Sequence, residues 1–219
     1  MTSRDDSATP TATPTAEPAV AAPGGRVALW DAEAVTFDEA ADHGLHDPDV
    51  REAWRSLLVP LLPPAPARVA DLGCGTGTLS LLLAEEGHDV DGVDFSPEML
   101  RHAREKAASS PTSGRVDFAL GDAAEPPLDA CAYDVVLSRH VLWAMPDAAA
   151  ALTRWIDLLA PEGRLVLVEG SWSTGAGLSA EETVALVEAT GRTAVMQRLC
   201  EPLLWGRPVD DDRYVVVSR

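Results

Sequence analysis

A doubly wound α/β domain is the fold this sequence predicts, and three observations predict it. Short β-branched runs alternate with amphipathic stretches from Arg68 onward, residues 69–78 run from a strand through a glycine-rich turn into a helix, and the closing pair of strands has no helix between them. Alternation at this spacing implies parallel strands joined by crossover helices, with ligands at the carboxyl ends of the strands. A closing pair without a crossover implies one antiparallel strand hairpinned onto the sheet. Seven strands result, mostly parallel, with the antiparallel one near the C-terminus.

The elements follow in order. Residues 1–25 alternate Thr, Ala, Pro and Ser with almost nothing to bury; ordering them would cost entropy without return, so a disordered tail is expected there and a single domain over 26–219. Residues 27–62 are helical in pattern, with Trp30, Val35 and Phe37 in one segment and Val50, Trp54, Leu57 and Leu58 in the next, before the prolines at 60–66 end any helix. The core spans 67–219. Strands are expected at 68–72, 90–94, 116–120, 133–138, 164–169, 194–199 and 213–217. Helices are expected at 78–86, closed by Gly87; from Pro97 to about 107, capped by Ser96; from Asp147, with Leu152, Trp155, Ile156 and Leu159 on one stripe; and after Ser179, whose spacing to Glu182 is a capping box, with Gly191 closing.

Composition narrows the partners. Seventeen Lys+Arg against 35 Asp+Glu leave a net charge of −18, a field that repels phosphate backbones and anionic headgroups. No apolar run reaches the roughly 20 residues that cross a bilayer, and the N-terminus is polar. A cytoplasmic protein acting on a small molecule, without nucleic acid or membrane, as monomer or homodimer, is the expectation. Cys74, Cys131 and Cys200 lack disulfide or zinc spacing, and His43 and His46 lack a carboxylate pair, so no metal is expected. Lys106 is the only lysine beside sixteen arginines, as in a GC-rich, bacterial genome.

The strongest local signal is Asp71-Leu72-Gly73-Cys74-Gly75-Thr76-Gly77. Glycines there let a ligand approach the backbone. A dinucleotide loop needs glycine at 78, where Thr78 stands, and no Gly-Lys-Ser/Thr follows, which excludes a P-loop. An NAD-dependent oxidoreductase is therefore the lesser alternative.

With these residues the chain resembles the class I S-adenosylmethionine-dependent methyltransferases, small-molecule type, over about residues 27–219. Besides the loop, the resemblance rests on Asp94 ending the second strand, on Gly121-Asp122-Ala123 after the third, on residues 133–136, and on the turn at 158–165, where Glu162 replaces a commoner glycine. It implies a Rossmann-like fold, S-adenosylmethionine as cofactor, the ribose on Asp94 and the adenine amine on Asp122. Asp71, Gly73, Cys74, Gly75, Gly77, Phe95, Met99, Gly121, Ala123, Ser138 and Trp30 complete the expected cofactor site. The cofactor's hydroxyls and amines are donors, so Asp71, Asp94 and Asp122 supply matching acceptors. Each aspartate also has a plain reading as a turn or helix cap, and Cys74 one as a small filler.

The acceptor is less determined. Ser138-Arg139-His140 stands where nucleic-acid amine methylases carry an Asn/Asp-Pro-Pro-aromatic run, which leaves an O, N or S atom of a small molecule, in bacterial secondary metabolism. Phe37, Trp143 and Trp172 are expected against the substrate, with Trp205 beside them, and Trp54 and Trp155 in the core. His140, with His43 as runner-up, is the candidate base, its pKa raised by acidic surroundings; the alternative is that His140 only positions substrate. Residues 27–45 are expected to form a mobile cover with Trp30, Phe37 and His43 inside. A non-catalytic regulator that binds the cofactor is the alternative from another class.

Overall fold

The computed structural model describes residues 23–219; the expected tail lies outside the described residues except for its last three positions, which begin a helix. Strands β1 (Arg68–Leu72), β2 (Asp89–Asp94), β3 (Val116–Leu120), β4 (Tyr133–Arg139), β5 (Leu159–Ser171), β6 (Ala194–Arg198) and β7 (Asp212–Ser218) form one sheet in the order β3-β2-β1-β4-β5-β7-β6. β1 to β5 are mutually parallel. β7 runs antiparallel to both of its neighbours, so one reversed strand accounts for the mixed edge.

Eight α-helices surround the sheet in the described residues: α1 (Pro23–Glu33), α2 (Ala41–Gly44), α3 (Pro48–Leu58), α4 (Thr78–Glu85), α5 (Pro97–Ser109), α6 (Ala148–Asp157), α7 (Ala180–Glu188) and α8 (Pro202–Trp205). Four of these helices have starts fixed by side chains that accept otherwise orphaned backbone N–H groups. Asp47 caps α3 through Asp49 N at 2.8 Å, Ser96 caps α5 through Met99 N at 3.1 Å, and Asp147 caps α6 through Ala150 N at 2.9 Å. Ser179 and Glu182 form the expected capping box of α7.

The strands bury both faces, as parallel strands under helices must. Val69, Val135, Val166, Val168 and Val215 face one core with Trp54 and Leu58 of α3 and Leu82 and Leu83 of α4. Their sequence neighbours Ala70, Val136, Leu165, Leu167 and Tyr214 face the other, with Leu152 and Trp155 of α6 and Val187 of α7. Trp54 and Trp155 are both fully buried, as their helical stripes implied; truncating either to Ala would remove about 3–5 kcal/mol.

Two expectations about connections change. β5 begins at Leu159, five residues before the expected Arg164, because Glu162 takes a left-handed φ of 66° and carries the chain through a turn that the strand assignment spans. The closing pair is not free of helix: α8 lies between β6 and β7, buries Leu204 and Trp205, and receives the indole Nε1 of Trp54 on Leu204 O at 2.7 Å.

Candidate active site

One cavity of about 570 Å³ opens at the carboxyl ends of β1, β2, β4 and β5, under α1, the turn at Phe37–Glu39 and α2. Its floor is the glycine loop. Gly73, Gly75 and Gly77 all have positive φ, at 71°, 55° and 74°, a region that costs other residues. Space as well as φ requires the small residue: a Cβ at Gly73 would lie 2.4 Å from Val141 Cγ2, and one at Gly77 2.7 Å from the Phe118 ring. Gly77 therefore works in packing, as the left-handed N-cap of α4, and does not line the cavity.

The acidic groups divide. Asp71 and Asp94 both line the cavity and are both buried. Asp94 Oδ2 accepts from Gly75 N at 2.9 Å and Oδ1 from Ser96 N at 2.8 Å, which fixes the carboxylate against the loop while each oxygen keeps a lone pair. Burial raises its pKa, and those backbone donors oppose the rise. Asp71 accepts from Ser80 Oγ at 2.5 Å, and burial pushes it up to about 6. Asp122 stands apart: outside the cavity lining, its Oδ1 accepts from Ala124 N at 2.9 Å and its Oδ2 lies 3.4 Å from Arg26 Nη2. Arg26, which does line the cavity, takes the space between Asp122 and the Phe95 ring, 5.7 Å away. Gly121 is likewise outside, packed against Pro127, and Ser138 is fully buried within β4 with its Oγ unpartnered.

Trp30, Cys74, Phe95, Met99 and Ala123 line the cavity, as do Phe37, Trp143 and Trp172. Burial, with Asp71 and Asp94 beside it, pushes the Cys74 thiol well above its usual range, which leaves it a neutral filler. Phe37 stacks on His43 at 4.3 Å, and Trp143 Nε1 donates to the His140 carbonyl at 2.9 Å.

His140 follows β4 with φ 58° and donates its backbone N–H to Val168 O at 2.8 Å. Its imidazole meets Trp172 edge-on at 5.2 Å and stacks on Trp205 at 6.1 Å, with Nε2 buried and unpartnered. The expected upward pKa shift is reversed: burial first, then Arg139 and Arg213, hold it well below 6.5. Burial likewise lowers His43 to about 4, although Asp42 opposes. Burial is the largest cause at both rings, and Arg139 and Arg213 add to the fall at each, which together outweigh the acidic composition.

Sequence reasoning missed Arg26, Glu33, Arg139, Arg207 and Arg213, which all line the cavity, and Asp31, which accepts from Ser96 Oγ at 2.5 Å and docks α1 on α5. Arginine ending a strand carries no local signal of direction. The position of Arg139 directly before His140 was the one available pointer.

The described residues contain no group of three or more His, Cys, Asp or Glu that could hold a metal ion, and no helix long and apolar enough to cross a membrane. The donor set suits a nucleoside with hydroxyls and an amine: carboxylate acceptors flank a glycine cradle, and no lysine or P-loop awaits a diphosphate. The fold and site thus define a doubly wound domain of the nucleoside-binding class. Comparison with known proteins narrows the class. Residues 69–163 match the family model described as a methyltransferase domain. The trans-aconitate 2-methyltransferase of Streptomyces avermitilis is 43% identical over 114 residues, 49% of this chain and 40% of that enzyme, so this chain spans under half the length of that relative. Among solved structures, the [4+2]-cyclase SpnF superposes with a TM-score of 0.67 at 20% identity, covering 77% of this chain and 80% of that one. Magnesium protoporphyrin IX methyltransferase from Synechocystis PCC 6803, solved with bound S-adenosylmethionine, superposes at 0.59 with 24% identity over 76% and 75% of the two chains. These two likenesses establish the fold.

Proposed function

We propose that this chain is an S-adenosylmethionine-dependent methyltransferase that places a methyl group on an O, N or S atom of a small molecule, in bacterial secondary metabolism. The supporting observation is the continuity of the cavity. One continuous space joins Asp71 and Asp94 at the glycine loop to an end lined by Trp143, Trp172, His140 and Arg139, so donor and acceptor can meet there in one partly sheltered pocket. The bound cofactor supplies an electrophilic methyl on a sulfonium. The chain's own residues then have three tasks. Asp94 fixes the ribose end, Asp71 faces the amino-acid end, and the aromatic wall orients the acceptor. His140, neutral through its depressed pKa, stands ready to take a proton from an acceptor that remains protonated.

The acceptors in the relatives' names differ, trans-aconitate in one and magnesium protoporphyrin IX in another, and fold does not choose among them. The same reading places the enzyme in the cytoplasm, as monomer or homodimer, without nucleic acid, which the charge of −18 supports.

The test has two stages. Calorimetry should show binding of S-adenosylmethionine and none of NAD; the reverse sinks the reading in favour of an oxidoreductase. Metabolite extracts incubated with a methyl-labelled donor should then yield a labelled product and S-adenosylhomocysteine only when the protein is present. Binding without any transfer would leave a cofactor-binding protein of another kind, as SpnF, a cyclase, shows this fold to allow.

A further inference from the structure

The cavity has two electrostatic ends. Asp71 and Asp94 mark one, and Arg139 and Arg213 mark the other. Arg139 is the last residue of β4. Arg213 is the second residue of β7 and, because that strand is reversed, it pairs in register with Gly170 at the carboxyl end of β5. Both guanidinium groups therefore emerge at the edge of the sheet where the cavity lies.

Neither is fully matched by the protein. Arg213 is 7% exposed, lies 4.5 Å from the Trp205 ring and 5.7 Å from the Trp172 ring, and reaches Asp211 at 3.2 Å, yet its Nε is buried without a hydrogen-bond partner. Arg139 rests 5.1 Å from the Trp54 ring and donates Nη1 to the Asp42 carbonyl, and among the described residues it forms no ion pair with a carboxylate. Burial pulls the pKa of Arg139 down, with Arg213 adding to the fall and Asp42, Asp71 and Asp38 opposing it. A buried cation with donors to spare is unfavourable until an anion meets it, and a planar guanidinium matches a carboxylate in shape and charge. Beside these cations the wall is apolar, formed by Trp143 and Trp172 with ring centroids 5.3 Å apart and planes inclined by 58°.

We propose that the methyl acceptor is a carboxylic acid with an apolar body, its carboxylate held by Arg213 and Arg139 and its body packed against Trp143 and Trp172. The assignment rests on the methyltransferase reading above and adds the acceptor's chemical class to it. Recognition of this kind does not depend on a base: the carboxylate is an anchor already ionised at neutral pH.

The experiment is calorimetric titration of the protein saturated with S-adenosylhomocysteine, using matched pairs: cinnamate and cinnamamide, phenylacetate and phenylacetamide, benzoate and benzamide. At least one acid should bind about tenfold or more tightly than its amide, the difference expected of a charge-assisted, desolvated pair. That preference should vanish in Arg213→Gln, shrink in Arg139→Gln and partly survive in Arg213→Lys, while the affinity for S-adenosylhomocysteine stays within about twofold. Equal binding of acids and amides overturns the proposal, and so does the absence of binding by every acid. A tenfold loss of S-adenosylhomocysteine affinity in both Gln variants, with the folded circular dichroism spectrum kept, also overturns it, since the arginines would then serve the cofactor's own carboxylate. Failure of the unaltered protein to bind S-adenosylhomocysteine overturns the methyltransferase reading itself.

Discussion

Lys106 and Asp38 clasp the cover of the cavity to its floor: Nζ lies 2.8 Å from Oδ2. The same ammonium donates to Thr76 Oγ1 at 2.9 Å and Thr78 Oγ1 at 2.7 Å, and Thr76 Oγ1 donates to Asp38 Oδ1 at 2.6 Å. The chain's one lysine thus ties the turn at Phe37–Glu39 to the start of α4, at the end of the glycine loop. Phe37 sits directly above, where a Cβ on Gly75 would come within 3.2 Å of its ring.

A clasp made of few groups should govern how readily the cover opens. Lys106→Ala removes charge-assisted bonds that are partly exposed, at a cost of about 1–2 kcal/mol. Amide exchange in residues 27–45 is expected to accelerate roughly 5- to 30-fold, since each 1.4 kcal/mol is a factor of ten. In the unaltered protein, S-adenosylhomocysteine should slow exchange in the same segment; identical exchange with and without it would refute a closing cover.

Asp94 serves the loop and the proposed ribose at once. Asp94→Ala should raise the dissociation constant for S-adenosylmethionine tenfold or more, because two charge-assisted hydrogen bonds of about 1.5–3 kcal/mol each are lost. Asp94→Asn, which keeps one acceptor, should fall between. Calorimetry decides, and a change under about twofold for the Ala variant contradicts the ribose assignment.

If His140 accepts a proton during transfer, His140→Ala should lower turnover on the order of 10²-fold with cofactor affinity nearly intact. Its depressed pKa adds a signature: the acidic limb of the pH–turnover profile should lie well below 6.5. A variant that raises only the acceptor's KM would make His140 a positioning residue. A limb centred near 6.5 would show that the ring titrates as it does in water.

Glu169 is fully buried behind this turn, with Oε1 accepting from Val141 N at 3.1 Å and Leu142 N at 2.8 Å and Oε2 unpartnered. Burial pushes its pKa up from 4.5 to about 8. A group raised in the folded state contributes stability that is present below the unfolded pKa and lost as pH rises through the folded one, on the order of 3–5 kcal/mol between pH 4.5 and 8. Glu169→Gln keeps an oxygen for both N–H groups and cannot ionise. Thermal melts should show its Tm gaining on the unaltered protein as pH rises from about 5 to 9; a constant difference would mean that Glu169 does not titrate in this window.

The strands and the glycine loop were legible because their signals are local. Short β-branched runs mark β1 to β4, and Ser96, Asp147 and Ser179 announce their helices by side chains that bond within one turn. α8 was not legible, since four residues beginning with Pro202 read as loop until Trp54 and Trp205 meet, 5.5 Å apart. The same limit applies at the site. Asp71 and Asp94 sit inside a motif, whereas the roles of Arg139 and Arg213 depend on strands far apart in sequence coming to one edge. The His140 pKa shift runs against the expected rise for a related reason: net charge describes the surface, and the ring responds to burial first and then to two arginines.

The reversal of β7 has a consequence for how such a protein can diverge. In the proposed reading the loop and carboxylates that face the donor run from Asp71 to Asp94, whereas the acceptor wall is divided: Arg139, His140 and Trp143 fall inside the family match, and Trp172, Trp205 and Arg213 follow residue 163, where it ends. Part of the proposed acceptor wall is thus encoded apart from the glycine loop, and its Arg213 reaches the cavity because the final strand turns back beside β5. Substitutions after that boundary can retune which acceptor is taken while the inherited loop goes untouched. A chimera that carries residues 170–219 of another methyltransferase should then keep its affinity for S-adenosylmethionine and change its acceptor, and loss of cofactor binding in a folded chimera would show the two stretches to be interdependent.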